Sequence, residues 1–508
     1  MSAEVDMKDV ELNEVELEKQ PMTSAETGNG DAVSPTSPEK NGIVKLKIPD
    51  DGEPRFNGLS KEELMKVAGT PGWVRTRWAL LILFWLGWIG MLAGAIAIII
   101  QAPRCKPMPE TNWWNQGPLY QIGDVKAFTA SGNLKGLQGK LGLLNQLNVK
   151  GLVIGPLHEA AANDQKKLEF TKITSDAGNN EEFKELIQAA HLKGISVVLD
   201  LTPNYQGQEP WFTSIPDVAE KLKSALVYWQ GIGVDGFLFS GVERVSAVVP
   251  SLWNDIKVIV NGTEENAKKR VLIGVTSKTS PVEVGNLLNI SGVDLLLSGV
   301  LRPSNKSDKA SAIQHLYDTQ DVTKLAWNIG DRVHGHLASL VGSSMVKLNQ
   351  LLLLTLPGTP VFNYGDEIGL DDEESTKLPI MVWDANDSLN GTLEAERMER
   401  ISNRDFFKSV SNRRVKELSL MYGEYVPLFN SSSALAFLRR WDQSERYLSA
   451  FNWGQTNISL PLGQKGLPEK ASVVVSTDES LEAGSSVDLS ALKLNSGQAV
   501  LLKFPYTG

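Results

Sequence analysis

The chain has a single cysteine, Cys105, among 508 residues, so no disulfide can form within it and its folded part must be held by an apolar core alone. It also lacks an excess of basic residues. Sixty acids against fifty Lys and Arg leave a formal charge of −10, which argues against nucleic acid, a partner that wants a basic face. The opening stretch Met1 to Gln20 has no apolar run and carries Glu4, Asp6, Asp9, Glu11 and Glu14 instead, so no cleavable signal peptide is expected there. Glycosylation acceptors are missing from the first half of the chain. Asn-x-Ser/Thr triplets begin only at Asn261 and continue at Asn289, Asn305, Asn386, Asn390, Asn430 and Asn457.

One long uncharged run is present. Trp78 to Ile100 reads WALLILFWLGWIGMLAGAIAIII, long enough at ~1.5 Å per residue to cross a hydrocarbon core of ~30 Å. Trp73, Trp78, Trp85 and Trp88 put indoles near one interface. Basic residues flank both ends (Lys66, Arg75 and Arg77 before, Arg104 and Lys106 after), so charge alone orients the span only weakly. The one-sided sequons orient it better: N-terminus cytoplasmic, C-terminus extracellular, the span acting as an uncleaved signal anchor. Gly90 and Gly94 form a G-x-x-x-G, extended by Gly87, that lets another helix approach closely. Cys105 sits just beyond, in the neck PRCKP, and a leftover extracellular cysteine points to an interchain disulfide or a free thiol. A partner for it must also present a cysteine at the membrane surface.

These features divide the chain into a cytoplasmic tail over 1–77, the span over 78–100 and a neck over 101–117. The tail is solvated, low in apolar residues, with Ser34 and Ser37 each before a proline. It ends in a short helix over 60–69, where Ser60 and Glu63 make a capping box and Gly69 with Pro71 a stop. From 118 to 428, short β-rich runs alternate with amphipathic helical ones: LYQIGD, GLVIGP, ISVVLDL, VDGFLF, VLIGV, VDLLLS, KLAWN and TPVFNY. Eight such units predict a (β/α)8 TIM barrel. The remainder, 429–508, is strand-like throughout and predicts an antiparallel β-sandwich.

The barrel resembles the α-amylase family of glycoside hydrolases. FKELIQAAHLKGISVVLDLTPNY matches that family's helix and third strand, GVDGFLF its fourth, and LLTLPGTPVFNYGDEIGL its last helix, eighth strand and following loop. Glycoside cleavage needs two carboxylates at the C-terminal ends of barrel strands. Carried over, the family's nucleophile falls on Ser240, the arginine two before it on Leu238, and the proton donor on Val275. The N-H-D after strand seven falls on Asn328, Ile329 and Gly330, and the histidine of the third-strand motif on Tyr205. The resemblance thus implies the fold with its catalytic positions lost, and no catalytic residue, cofactor or metal is expected. Glu243 and Asp331 lie close by in sequence, Asp235 lies at the opposite end of its strand, and Asp200, Asn204, Asp366 and Glu367 read as scaffold.

An amylase-like barrel on one span with a neck cysteine resembles the heavy chains of heteromeric amino-acid transporters. LSKEELMKVAGTPGWVRTRWALLILFWLGWIGMLAG carries that likeness, and the absence of an inserted domain after strand three favours the 4F2 type. The resemblance implies a non-catalytic subunit that escorts a multi-spanning light chain to the plasma membrane. It would hold that chain through Cys105 and the Gly87, Gly90, Gly94 side of the span. The light chain would exchange large neutral amino acids, and an integrin β-subunit contact is also implied. Two other classes stay open: a stand-alone adhesion or receptor ectodomain, and a surface glycosidase.

Overall fold

The computed structural model describes residues 60–102, 105–262, 268–303, 308–383, 392–463 and 466–506. The acidic tail with Ser34 and Ser37, Arg104, and the sequons at Asn305, Asn386 and Asn390 lie outside these. The chain forms two compact units, divided between Ala102 and Pro103.

The first unit is helical. Helix α1 (Lys61–Ala68) starts at the expected capping box, Ser60 accepting from Glu63 N–H and the Glu63 carboxylate reaching back to Ser60 N–H. It stops at Gly69, and Thr70 Oγ1 donates to Val67 C=O. Pro71 opens a second helix, α2 (Pro71–Gln101, 31 residues), rather than closing the first. A proline at N1 lacks only an N–H that has no helical partner there. The helix therefore begins seven residues before the expected span at Trp78, because nothing between Pro71 and Trp78 breaks it. Arg77 ties the two helices by donating to Ala68 C=O. No residue of α2 is buried within the chain, and its length and composition fit a single-pass membrane anchor.

The second unit holds the barrel. Its strands are β1 (Leu119–Ile122), β2 (Gly151–Ile154), β3 (Ser196–Asp200), β4 (Gly236–Ser240), β5 (Val271–Val275), β6 (Leu295–Leu297), β7 (Ala326–Trp327) and β8 (Thr359–Asn363). They are the eight runs read from the sequence. All pair in parallel in the order β6-β5-β4-β3-β2-β1-β8-β7, and a bridge between Leu296 and Leu325 joins the two edges. Side-chain alternation explains why each strand is apolar on both faces. Leu119, Val153, Val198, Leu238, Ile273 and Val361 fill the barrel interior, while Tyr120, Leu152, Val197, Phe237, Leu272 and Phe362 pack outward. The connection after β2 contains a β-hairpin, His158–Ala161 with Asp164–Ile173.

The C-terminal part is a six-stranded antiparallel sheet plus a two-stranded ribbon, Ile458–Leu460 with Leu492–Leu494. The sheet's strands are β9 (Glu424–Asn430), β10 (Ala434–Arg440), β11 (Arg446–Asn452), β12 (Lys470–Ser476), β13 (Ser486–Asp488) and β14 (Ala499–Phe504). Ribbon and sheet enclose one apolar layer that includes Leu448, Leu460, Leu494 and Leu502, as expected of a sandwich. The expected boundary between 428 and 429 cuts through β9, which pairs along its length with β10. Pro427 obscured this strand, because proline is tolerated at a sheet edge.

Two buried arginines brace this end of the barrel, and one of them, Arg439, ties the sheet to it. Arg414 donates to the carbonyls of Leu354, Leu356 and Gly358, and Arg439 to those of Thr355 and Gly423. These are mostly the orphan carbonyls that end the helix Val346–Thr355, where the helix dipole favours cations. Burial lowers the pKa of Arg414 to about 10, and burial together with the charge of Arg414 lowers that of Arg439 to about 9.

Candidate functional site

The barrel mouth is the first place to look, since enzymes of this architecture work at the C-terminal ends of the strands. Ser240 and Val275 end β4 and β5 side by side, as register partners, and neither brings a charge. Leu238 points into the barrel interior. Tyr205 donates its hydroxyl to His158 C=O, and Asn328 its amide to Gly330 C=O. Asp235, at the far end of β4, pairs with His191 and Lys268 and accepts from Val197 N–H, a structural role.

At strand seven it is Asp331, the residue after Gly330, that lines the mouth together with Ser240, Val275 and Asp200. Gly330 instead allows the turn that follows, since a Cβ there would meet Gly335 C=O at 2.6 Å. One carboxylate therefore stands at this strand end, and it is fully engaged. Asp331 bonds Arg302 Nη2 at 2.8 Å and His334 Nδ1 at 2.8 Å. Burial pushes its pKa up, but His334 and Arg302 outweigh burial and hold it at about 2. Arg302 also faces His334 Nε2 at 2.9 Å, and an arginine only donates, so this imidazole accepts there and keeps its proton on Nδ1. A carboxylate held that low is no proton donor at neutral pH.

Two spaces meet at the mouth, a recess of about 30 Å³ and a cleft of about 370 Å³ that Glu243 also lines; Ser240, Val275, Asp331, Arg332 and Val333 border both. The Arg332 stem lies against Gly123, where a Cβ would come within 2.9 Å of its Cγ. Its guanidinium sits 3.7 Å from Asp200, whose pKa burial raises and Arg332 opposes. Asn204, Asp366 and Glu367 act as scaffold. Asn204 bridges Asn163 and Glu209 C=O, Asp366 accepts from Leu337 and Asn363 N–H, and Tyr120 donates to Glu367. Among the described residues no group of three or more His, Cys, Asp or Glu could hold a metal.

The second place is the neck. Cys105 is exposed and unpaired within the chain. Its neighbour Lys106 is fastened to the turn between β10 and β11: its N–H donates to Asp442 Oδ2 at 3.0 Å and its ammonium sits 4.7 Å from the Trp441 ring centroid. That turn is itself braced, because Arg446 donates to the carbonyls of Trp441, Asp442 and Ser444. Sequence reading missed this anchorage. The two segments are over 330 residues apart, and nothing local marks Asp442 as an acceptor. In the first unit Gly87, Gly90 and Gly94 have no neighbour within 4 Å of a built Cβ, so this side of α2 is open. Asn261, Asn289, Asn430 and Asn457 are all exposed.

The family described as "Solute carrier family 3 member 2 N-terminus" matches residues 45–120, and "Alpha amylase, catalytic domain" matches residues 110–220. The amino acid transporter heavy chain SLC3A2 of Oryctolagus cuniculus is 43% identical over 99% of both chains. The heavy chain SLC3A1 of Rattus norvegicus is 25% identical, covering 96% of this chain and 91% of its own. Among solved structures, an Anoxybacillus α-amylase superposes with a TM-score of 0.60 at 17% identity, over 78% of this chain and 99% of its own; that likeness concerns the fold.

Proposed function

The chain belongs to the amino acid transporter heavy chains of the SLC3A2 kind, and from that premise we propose that it is a non-catalytic subunit which binds, escorts and stabilises a multi-spanning light chain at the plasma membrane. A single helix cannot enclose a polar pathway, so transport is the partner's work. The observation that carries the reading is the neck: Lys106 is pinned to the ectodomain while the adjacent Cys105 stays exposed. Held there, the thiol meets a partner cysteine at one place instead of searching for it. Helix packing through Gly87, Gly90 and Gly94 supplies a second contact. Each contact raises the effective concentration for the next, which makes the disulfide a clamp and not the sole source of affinity.

The reading extends to an extracellular barrel and sheet, a cytoplasmic tail over 1–77, glycans on sequons that follow the span, a light chain that exchanges large neutral amino acids, and an integrin β-subunit contact. Its support at the mouth is the missing charge at Ser240 and Val275 and the engagement of Asp331.

Non-reducing electrophoresis followed by identification of the linked chain tests it. A Cys105-dependent band containing a multi-spanning transporter is expected, and Cys105→Ser should abolish that band while much surface transport remains. A band containing only a second copy of this chain would refute the escort role, and complete loss of light-chain delivery in the variant would refute the clamp.

A further inference from the structure

A cavity of about 450 Å³ opens between the barrel's outer helices and the loops of the C-terminal sheet, within the volume range of small-molecule sites. It shares no lining residue with the barrel mouth. Leu340, Met345, Leu352 and Trp453 make one side of it apolar, and Lys309 brings a single ammonium. That ammonium has no ion-pair partner among the described residues. The nearest acid in sequence, Asp308, is consumed at its own helix start, accepting from Ala310 N–H and Ser311 Oγ. Burial alone moves the Lys309 pKa, downward, and no neighbouring charge opposes it. The amide of Asn349 on the same wall is also spent, donating to Met345 C=O.

A cation partly removed from water without a counter-charge is costly, and a bound anion relieves that cost. Lys309 is the first residue of its helix, so the helix dipole adds positive potential at the same point. We propose that this cavity binds a small organic monoanion, a carboxylate on an aromatic or branched aliphatic body, with Lys309 taking the carboxylate and Met345, Leu352 and Trp453 the body. A free amino acid does not fit. Its α-ammonium would enter beside Lys309 with no carboxylate among the described lining residues to receive it, so the site is distinct in chemistry from one for a zwitterion.

Three probes with the same body separate the possibilities: 3-phenylpropionate, its neutral amide and phenylalanine. The purified full chain is treated with an amine-acylating reagent near neutral pH, and modification of Lys309 is followed by peptide mass mapping with the other lysines as internal references. Protection of Lys309 by 3-phenylpropionate alone is expected. Lys309→Met should weaken calorimetric binding of 3-phenylpropionate at least about tenfold. The variant should fold normally, because it removes an unpaired, desolvated charge from a helix N-terminus. Equal protection by the amide or by phenylalanine, no protection at about 10 mM, or unchanged affinity in Lys309→Met would each overturn the assignment.

Discussion

Placing carboxylates at the two strand ends where the resemblance to α-amylases would expect them, as Ser240→Asp with Val275→Glu, should not create a glycosidase. Ser240 and Val275 are register partners on β4 and β5, and neighbouring strands lie ~4.7–4.9 Å apart. Carboxyls placed there come close to the ~5–5.5 Å that retaining hydrolysis uses. Spacing is therefore no obstacle; depth is. Ser240 and Val275 also border the outer cleft of about 370 Å³, a volume in the range of small-molecule pockets, but the inner recess that they share with Asp200 and Asp331 holds about 30 Å³, space for about one water, and Arg332 and Val333 line both spaces. Arg332 is fixed from two sides, by Gly123 under its stem and Asp200 beside its guanidinium. The added acids would also join Asp200 and Asp331 in one enclosure, where mutual repulsion keeps some of them protonated. The assay is release of nitrophenol from a nitrophenyl α-glucoside by the purified full chain, with wild type alongside. Both proteins should stay at the rate of a heat-denatured control. Turnover by the double variant that disappears when either new carboxylate is removed would show that the recess admits a sugar and that the steric reasoning is wrong. Turnover by the wild type would refute the non-catalytic reading itself.

Other expectations follow from the buried charges and the neck. Arg414→Met strips the donors from three enclosed carbonyls while relieving one desolvated charge; a net loss of about 2–5 kcal/mol is expected from urea unfolding followed by tryptophan fluorescence, and an unchanged midpoint would contradict it. Burial raises the Asp366 pKa to about 8 and the Glu367 pKa to about 7, well above the ordinary carboxylate range. The folded state thus holds these protons more tightly than the unfolded one, and the resulting stability is complete below about pH 4 and lost as pH rises through 7 to 8. Glu367→Gln keeps an acceptor for the Tyr120 hydroxyl and should flatten that decline by up to ~1.4 kcal/mol per pH unit between about pH 5 and 7; parallel stability curves for the two proteins would rule this out. Asp442→Ala releases Lys106 N–H and should slow formation of the Cys105 interchain disulfide in pulse-chase experiments on non-reducing gels. An unchanged rate would mean that the neck needs no anchor.

Most of the architecture was legible in the sequence. The eight barrel strands announced themselves as short apolar runs, because a parallel strand buried on both faces is mostly apolar, with polar residues such as Ser196, Asp200 and Asn363 at the strand ends. The capping box at Ser60 and the uncharged run in α2 are local signals of equal strength. Boundaries were less legible. Pro71 read as a stop and proved to be a start, and Pro427 hid the first strand of the C-terminal sheet. At the mouth, the uncharged strand ends at Ser240 and Val275 were legible, but Asp331 as a lining residue was not. Strand β7 has only two paired residues, too few for periodicity to set a register.

Composition and local pattern alone decided that the chain carries one apolar helix, a barrel of alternating units, a β-rich end and one unpaired thiol, since hydrophobic periodicity, caps and cysteine count are properties of neighbouring residues. Tertiary structure decided everything that joins distant segments: Lys106 on Asp442, Arg332 across Gly123, Arg302 and His334 on Asp331, and a solitary Lys309 in a cavity between barrel and sheet. Electrostatic energy depends on distance and burial, and neither is written in the order of residues along the chain.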